Sequence, residues 1–179
     1  MRPLPLHLLD MKLARQAADF FIEWSKKTQE TDNPHTRAVP WKNEYDRKYE
    51  MQMAYGAEIA VARLLGMDWN GLNTFKDKAD VGDNIEVRWS RSNNLILRNY
   101  DRDGDVAFLV QGSSLSTLFL VGYYPVYLGR IDEYKLVDED TWFVPKDRLY
   151  DYMPLRYTVI VCRRFSLISP VTFFSPKLI

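Results

Sequence analysis

The stretch ADVGDNIEVRWS, residues 79–90, limits what this chain can fold into more than any other segment. Gly82, Asp83 and Asn84 all tolerate positive φ, and apolar Val81 and Ile85 flank them, a pattern that predicts a tight β-hairpin turn. With a three-residue loop, Val81 pairs with Ile85 and Asp80 lies opposite Glu86. Side chains alternate along a strand, so Glu86, Arg88 and Ser90 share one face while Ile85, Val87 and Trp89 point into a core. Directly opposed residues hold their Cβ atoms about 4.5–5.5 Å apart, where like charges destabilise. Two carboxylates kept that close need compensation, either from a divalent cation or from Arg88 two residues along. Magnesium binds through one or two protein carboxylates, with water and substrate phosphate completing its shell, so the pair suits metal-assisted attack on a phosphodiester. The same residues also suit an ordinary wet hairpin face, with Asp80 and Arg88 forming a surface ion pair worth about 0–1 kcal/mol.

Residues 50–65, EMQMAYGAEIAVARLL, read as a helix that Gly66 terminates. At 3.6 residues per turn, Gln52, Gly56 and Arg63 gather on one side, read as the solvent side. Glu58 falls opposite, among Met51, Ala54, Tyr55, Val61, Ala62 and Leu65. Carboxylates are seldom buried alone, so Glu58 either keeps its proton or faces an arginine, a metal or a polar cleft. The small residues Ala54, Ala57 and Ala62 let this helix lie close to a sheet. A plain buried pairing of Glu58 with an arginine stays open beside the functional reading.

A glutamate on the inner face of a helix, an aspartate before a tight turn, and then Glu-x-Arg resembles the PD-(D/E)XK nuclease superfamily, whose pattern is Glu…Asp…(Asp/Glu)-x-Lys. The ADVG…EVR signature, followed by LILR, is similar to that of small phage and bacterial members over about residues 50–100. The resemblance implies a restriction-endonuclease-like core: a central mixed sheet with a helix at its side. It also implies that Asp80, Glu86 and the main-chain carbonyl of Val87 hold Mg2+ (or Mn2+), and that Glu58 binds a second ion or positions water. DNA is the implied substrate, and cutting both strands favours a homodimer. Arg88 stands where the family has lysine. Arginine stays protonated in proteins and cannot act as a general base. It can grip a phosphate bidentately and stabilise developing negative charge. Deprotonation then falls to Glu58 or to water activated by the metal. Three functions stay open: a metal-dependent DNA nuclease, a catalytically inactive relative that binds nucleic acid or a protein partner (such as a viral accessory protein), and an unrelated α+β interaction module.

With 179 residues and 46% hydrophobic content, one compact domain over residues 1–179 is expected. It divides into an N-terminal helix at 8–27, a nuclease-like core at about 50–126 and a C-terminal elaboration at 142–179. No run of about 18 apolar residues occurs, so no membrane span is expected. The start, MRPLPLHLLDMK, is too short and poorly flanked for a signal peptide. The single cysteine, Cys162, reads as a buried core residue in a reducing, cytoplasmic setting, which would be the host cytoplasm if the chain is viral. Only His7, His35 and Cys162 are soft ligands, too few for structural zinc. The 24 basic and 24 acidic residues cancel, which argues against strong non-specific nucleic-acid affinity but allows a local basic groove. Arg91 and Arg98, near Arg88 and with Asn93 and Asn94 between them, are the candidate nucleic-acid contacts. A solvated polar loop accounts for the same residues.

Spacing predicts an amphipathic helix at 8–27 built on Leu9, Leu13, Ala17, Phe20, Phe21 and Trp24, then a polar connection at 28–41. A short strand is expected within 68–77, with further strands at 95–99, 105–111 and 118–126 separated by DRDG and GSS turns. DRDG lacks the remaining ligands of a calcium loop and reads as a turn. A short helix opened by Pro145 is expected within 142–152, and a buried strand at 157–163. A strand meander flanked by helices gives an α+β fold with a central mixed β-sheet and the Glu58 helix on one face.

Overall fold

The computed structural model describes residues 1–29, 43–71, 78–136 and 140–152. Two helices, α1 (Leu8–Gln29) and α2 (Glu44–Leu65), pack side by side as one layer. Helix α2 begins at Glu44 because Asn43 caps it: its Oδ1 accepts the Asp46 N–H at 2.9 Å, and Glu44 and Asp46 lie at the positive end of the helix dipole. Gly66 ends it in the left-handed conformation at φ 64°, its N–H reaching the carbonyls of Ala62 and Arg63.

The buried stripe of α1 differs from the one its spacing suggested. Ala14, Ala17, Ala18, Ile22 and Ser25 are buried, while Leu9 and Phe20 are 79% and 55% exposed. Small side chains line the contact because they let two helix axes approach closely. Gly56 also faces inward, against the solvent-side expectation, because Leu115, Leu118 and Leu6, the last from the segment before α1, crowd it. A Cβ at Gly56 would strike Leu115 Cδ2 and sit 3.6 Å from both Leu6 and Leu118. From Gly56 to Ala62 every residue of α2 is buried, so this stretch has no wet face to predict.

A mixed four-stranded sheet lies against the helices, in the order β1-β5-β4-β2. Its strands are β1 (Arg2–Pro3), β2 (Ile85–Trp89), β4 (Val106–Gln111) and β5 (Phe119–Pro125). Strand β2 runs parallel to β4, with Ile85 opposite Val106 and Trp89 opposite Val110, and β4 runs antiparallel to β5. The predicted meander is therefore corrected. Parallel neighbours require a crossover, and β3 (Asn94–Arg98) is part of that crossover. It leaves the main sheet and pairs antiparallel with β6 (Thr141–Pro145).

Two cores follow from this layering. Met53, Ala57, Ile59 and Val61 of α2 pack with Val87, Phe108, Val110 and Leu120 of the sheet. On the other side, Leu95, Leu97 and Val144 of the two-stranded ladder pack with Ala107, Leu109 and Val126. Val126 opens a single-turn helix, α3 (Val126–Gly129). The fold is α+β, with the long helices confined to one face of the central mixed sheet. The short helix expected at Pro145 is a single 3-10 turn, Lys146–Arg148, with Pro145 at its N-cap, while residues 141–145 form β6. Most of the 28–41 connection and of the 68–77 strand, the whole of the 157–163 strand, and Cys162 lie outside the described residues. No described helix is long and apolar enough to cross a membrane.

Overpacking where Gly56 meets Leu6, Leu115 and Leu118 gives a direct test. Gly56→Leu should lower the unfolding free energy by about 1–3 kcal/mol, read as a reduced urea midpoint. An unchanged midpoint would show that the leucine wall yields freely.

Candidate functional site

The hairpin forms as its turn residues predict. Val81 N–H donates to Ile85 O at 3.0 Å and Ile85 N–H returns to Val81 O at 3.3 Å, around a left-handed Gly82 at φ 56°. Main-chain pairing then stops. The next outward-facing donor, Val87 N–H, is taken at 2.8 Å by the side chain of Asp80 instead of a backbone carbonyl. Asn70 clamps the turn through Nδ2, which donates to the carbonyls of Ala79 and Gly82 at 2.8 and 2.6 Å. The carboxylate of Asp80 is thereby fixed at the outer edge of β2.

Arg88 fills the space this creates. Its Nη1 donates to Glu86 Oε2 at 3.0 Å, to Val87 O at 3.3 Å and to Asp80 Oδ2 at 3.4 Å. Its Nη2 donates to Asp101 Oδ1 at 2.5 Å. Asp101 has no exposed side-chain surface, and its other oxygen accepts the Arg98 N–H at 2.8 Å. Asp101 was not singled out in the sequence, where it is the first residue of what reads as an ordinary DRDG turn, thirteen residues from Arg88. Only the crossover through β3 brings it back to β2.

Glu58 comes from the helix layer, on the Val87 side of the sheet, and adjoins the cluster at the edge of β2. It is buried, and its Oε2 accepts the indole N–H of Trp69 at 2.8 Å, another partner the sequence did not reveal. Burial pushes the Glu58 carboxyl well above its ordinary value of 4.5; the charge of Asp80 adds to this, while the Trp69 hydrogen bond and Arg88 oppose it. Burial likewise raises Asp80 against the pull of Arg88 and the Val87 N–H. It pushes Glu86 up to about 7, again against Arg88. Burial works against the charge on Arg88, but Asp101, Asp80 and Glu86 outweigh it and hold the guanidinium more firmly charged than usual.

Three carboxyl groups thus share one guanidinium, with the buried Glu58 carboxyl close enough to feel their charge, so the fully ionised cluster carries an excess of negative charge. The donors around Nη1 are all oxygen, the chemistry of a hard ion such as Mg2+ or Mn2+. Among the described residues, no group of three or more His, Cys, Asp or Glu is placed to hold a metal ion. Two carboxylates and a carbonyl supply part of a coordination sphere, which suits an ion that retains several waters.

The two outer arginines occupy opposite ends of β3. Arg91, just before the strand, places its guanidinium carbon 5.2 Å from the Tyr49 ring centre and 5.5 Å from that of Trp89. Arg98, at the end of the strand, donates from Nη1 to Thr141 Oγ1 at 2.9 Å. Of the residues singled out in the sequence, Asp80, Glu86, Val87 and Arg88 converge on one point, Glu58 adjoins them, and Arg91 and Arg98 stand apart. Comparison with known proteins gives no match to any family model, curated protein or solved structure.

The raised carboxyls make stability depend on pH in a defined sense. Glu86 binds its proton more tightly folded than unfolded, so its contribution is complete below 4.5 and is lost as pH rises through about 7. Glu58 and Asp80 act in the same direction. Without divalent ions, the urea midpoint should fall between about pH 5 and 7.5, and Glu86→Gln should flatten that slope. Arg88→Met, which strands buried Asp101, should cost about 3–5 kcal/mol at neutral pH. A loss below about 1 kcal/mol would be the mark of a surface pair.

Proposed function

We propose that this chain is a metal-dependent nuclease that hydrolyses DNA phosphodiester bonds, with a restriction-endonuclease-like core. One observation carries the reading: Asp80, Glu86 and the Val87 carbonyl aim their oxygens at a single cationic nitrogen. A site that gathers three oxygens around an ammonium-like centre has the donor set for a hard cation. Asp80, Glu86 and Val87 would hold Mg2+ or Mn2+, with Glu58 available to a second ion. When bound, the metal supplies Lewis-acid stabilisation of charge on the phosphoryl oxygens.

The protein's own groups do the rest. Arg88 withdraws Nη1 from the cradle while Asp101 retains its hold on Nη2, and the freed guanidinium grips a non-bridging phosphate oxygen. Glu58, with its raised proton affinity, is suited to accept and return a proton near neutral pH. The sheet and helix arrangement is compatible with the core this chemistry needs: a helix carrying Glu58 on one face, Glu86 on an edge strand and Asp80 on the hairpin arm beside it.

A second reading has an observation of its own. Arg88 itself occupies the cradle and is largely buried there, which is what a catalytically silent descendant that replaced the metal with a fixed cation would show. Incubating the full chain with plasmid and single-stranded DNA in Mg2+ or Mn2+ tests both. Cleavage is expected, and Asp80→Ala and Glu86→Ala should each abolish it; activity surviving in both variants would place the chemistry elsewhere. Calcium, which occupies such a cage without supporting cleavage, should add about 2.7 kcal/mol at 100 times its Kd, or roughly 2–4 °C of melting temperature per kcal/mol. A melting curve indifferent to all three ions would establish the silent reading.

A further inference from the structure

We propose that the outer face of the β3–β6 ladder is a binding track for single-stranded DNA that leads into the Asp80–Glu86 site, an inference that rests on the nuclease reading above. Leu95, Leu97 and Val144 turn inward to the second core. Alternation then sends Ile96 and its cross-strand partner Phe143 outward; Arg98 lies on the same face, with its guanidinium bonded to the buried Thr141 hydroxyl. Ile96 and Phe143 form the floor of a groove of about 350 Å³. Its walls are Trp89 and Arg91 at the end of β2 and Glu50 of α2. This volume lies within the roughly 300–1,000 Å³ range of ligand sites.

Three features select the occupant. First, the floor offers a half-exposed aromatic face, and only an unpaired base can lay its own face on it, because duplex bases are already stacked on one another. Second, cationic groups stand at both ends of the floor: exposed Arg91 over the Tyr49 and Trp89 rings, and Arg98. Trp89 is itself fixed by donating its indole N–H to Gly112 O at 3.1 Å, so the Arg91 platform is preformed. Third, the track is continuous with the site: Asp101 accepts from the Arg98 main chain and from Arg88 Nη2, so the Arg98 end of the floor abuts the cradle. A strand lying over Phe143, with phosphates near Arg91 and Arg98, would reach Arg88 with its next phosphodiester.

Fluorescence anisotropy tests this with the full chain in EDTA, using a labelled oligothymidylate of about 12 nucleotides and a duplex of equal length. The single strand should bind more tightly than the duplex. Phe143→Ala should weaken single-strand binding roughly tenfold, and Phe143→Tyr should restore it. Arg91→Ala should reduce the dependence of log affinity on log salt by about 0.7. Equal affinity for strand and duplex, or single-strand binding unchanged in a folded Phe143→Ala chain, overturns the proposal. Should Phe143→Ala fail to fold, exposed Arg91 carries the test alone, and an unaltered salt slope then overturns it. Binding that depends on Phe143 in a chain that cuts nothing keeps the track and removes the metal chemistry. Cleavage that is indifferent to Phe143 and Arg91 does the reverse.

Discussion

The guanidinium of Arg88 holds together parts of the chain that have no other reason to meet. It bonds the hairpin through Asp80, its own strand through Glu86 and Val87, and the β3–β4 connection through Asp101. In a low-dielectric setting each of those carboxylates is costly on its own, and removing the shared cation leaves all of them uncompensated. Burial is the main cause of the raised proton affinities of Glu58, Asp80 and Glu86, and the charge of Arg88 opposes it at each.

The cluster sits at an edge for a physical reason. Because β2 pairs in parallel with β4 on one side and meets only Val81 on the other, the outward main-chain groups beyond Ile85 lack a strand partner in the described sheet. Asp80 satisfies the Val87 N–H and Arg88 the Val87 carbonyl, so side chains complete the ladder where a strand would otherwise continue. Charged groups placed this way also blunt an edge that could pair with another chain. One arrangement therefore protects the sheet and leaves a carbonyl oxygen facing a cationic group.

Local patterns revealed the local parts. Gly82, Asp83 and Asn84 between Val81 and Ile85 were enough to place the turn and its register, and alternation then put Glu86 and Arg88 together, away from Val87. The helix stop at Gly66 and the anomaly of Glu58 in an apolar stripe were equally plain. Gly56 and the α1 stripe misled, because periodicity reports which residues are apolar and not how close a neighbouring segment will come. The meander failed for a related reason. Leu95–Ile96–Leu97 carries no mark that distinguishes a strand of the main sheet from one that crosses over to pair with β6.

What the amino-acid order determined alone is the chemistry of the hairpin: an aspartate, a glutamate and an arginine brought within reach of one another by a three-residue turn, since that requires only local dihedral preferences and the two-residue strand period. What tertiary structure decided is everything that depends on long-range closure. It brought Asp101 back across the crossover to anchor Arg88, set Trp69 against Glu58, and paired Ile96 with Phe143 in the β3–β6 ladder. Those contacts join residues far apart in the chain, and their formation depends on which faces of the sheet the two cores cover.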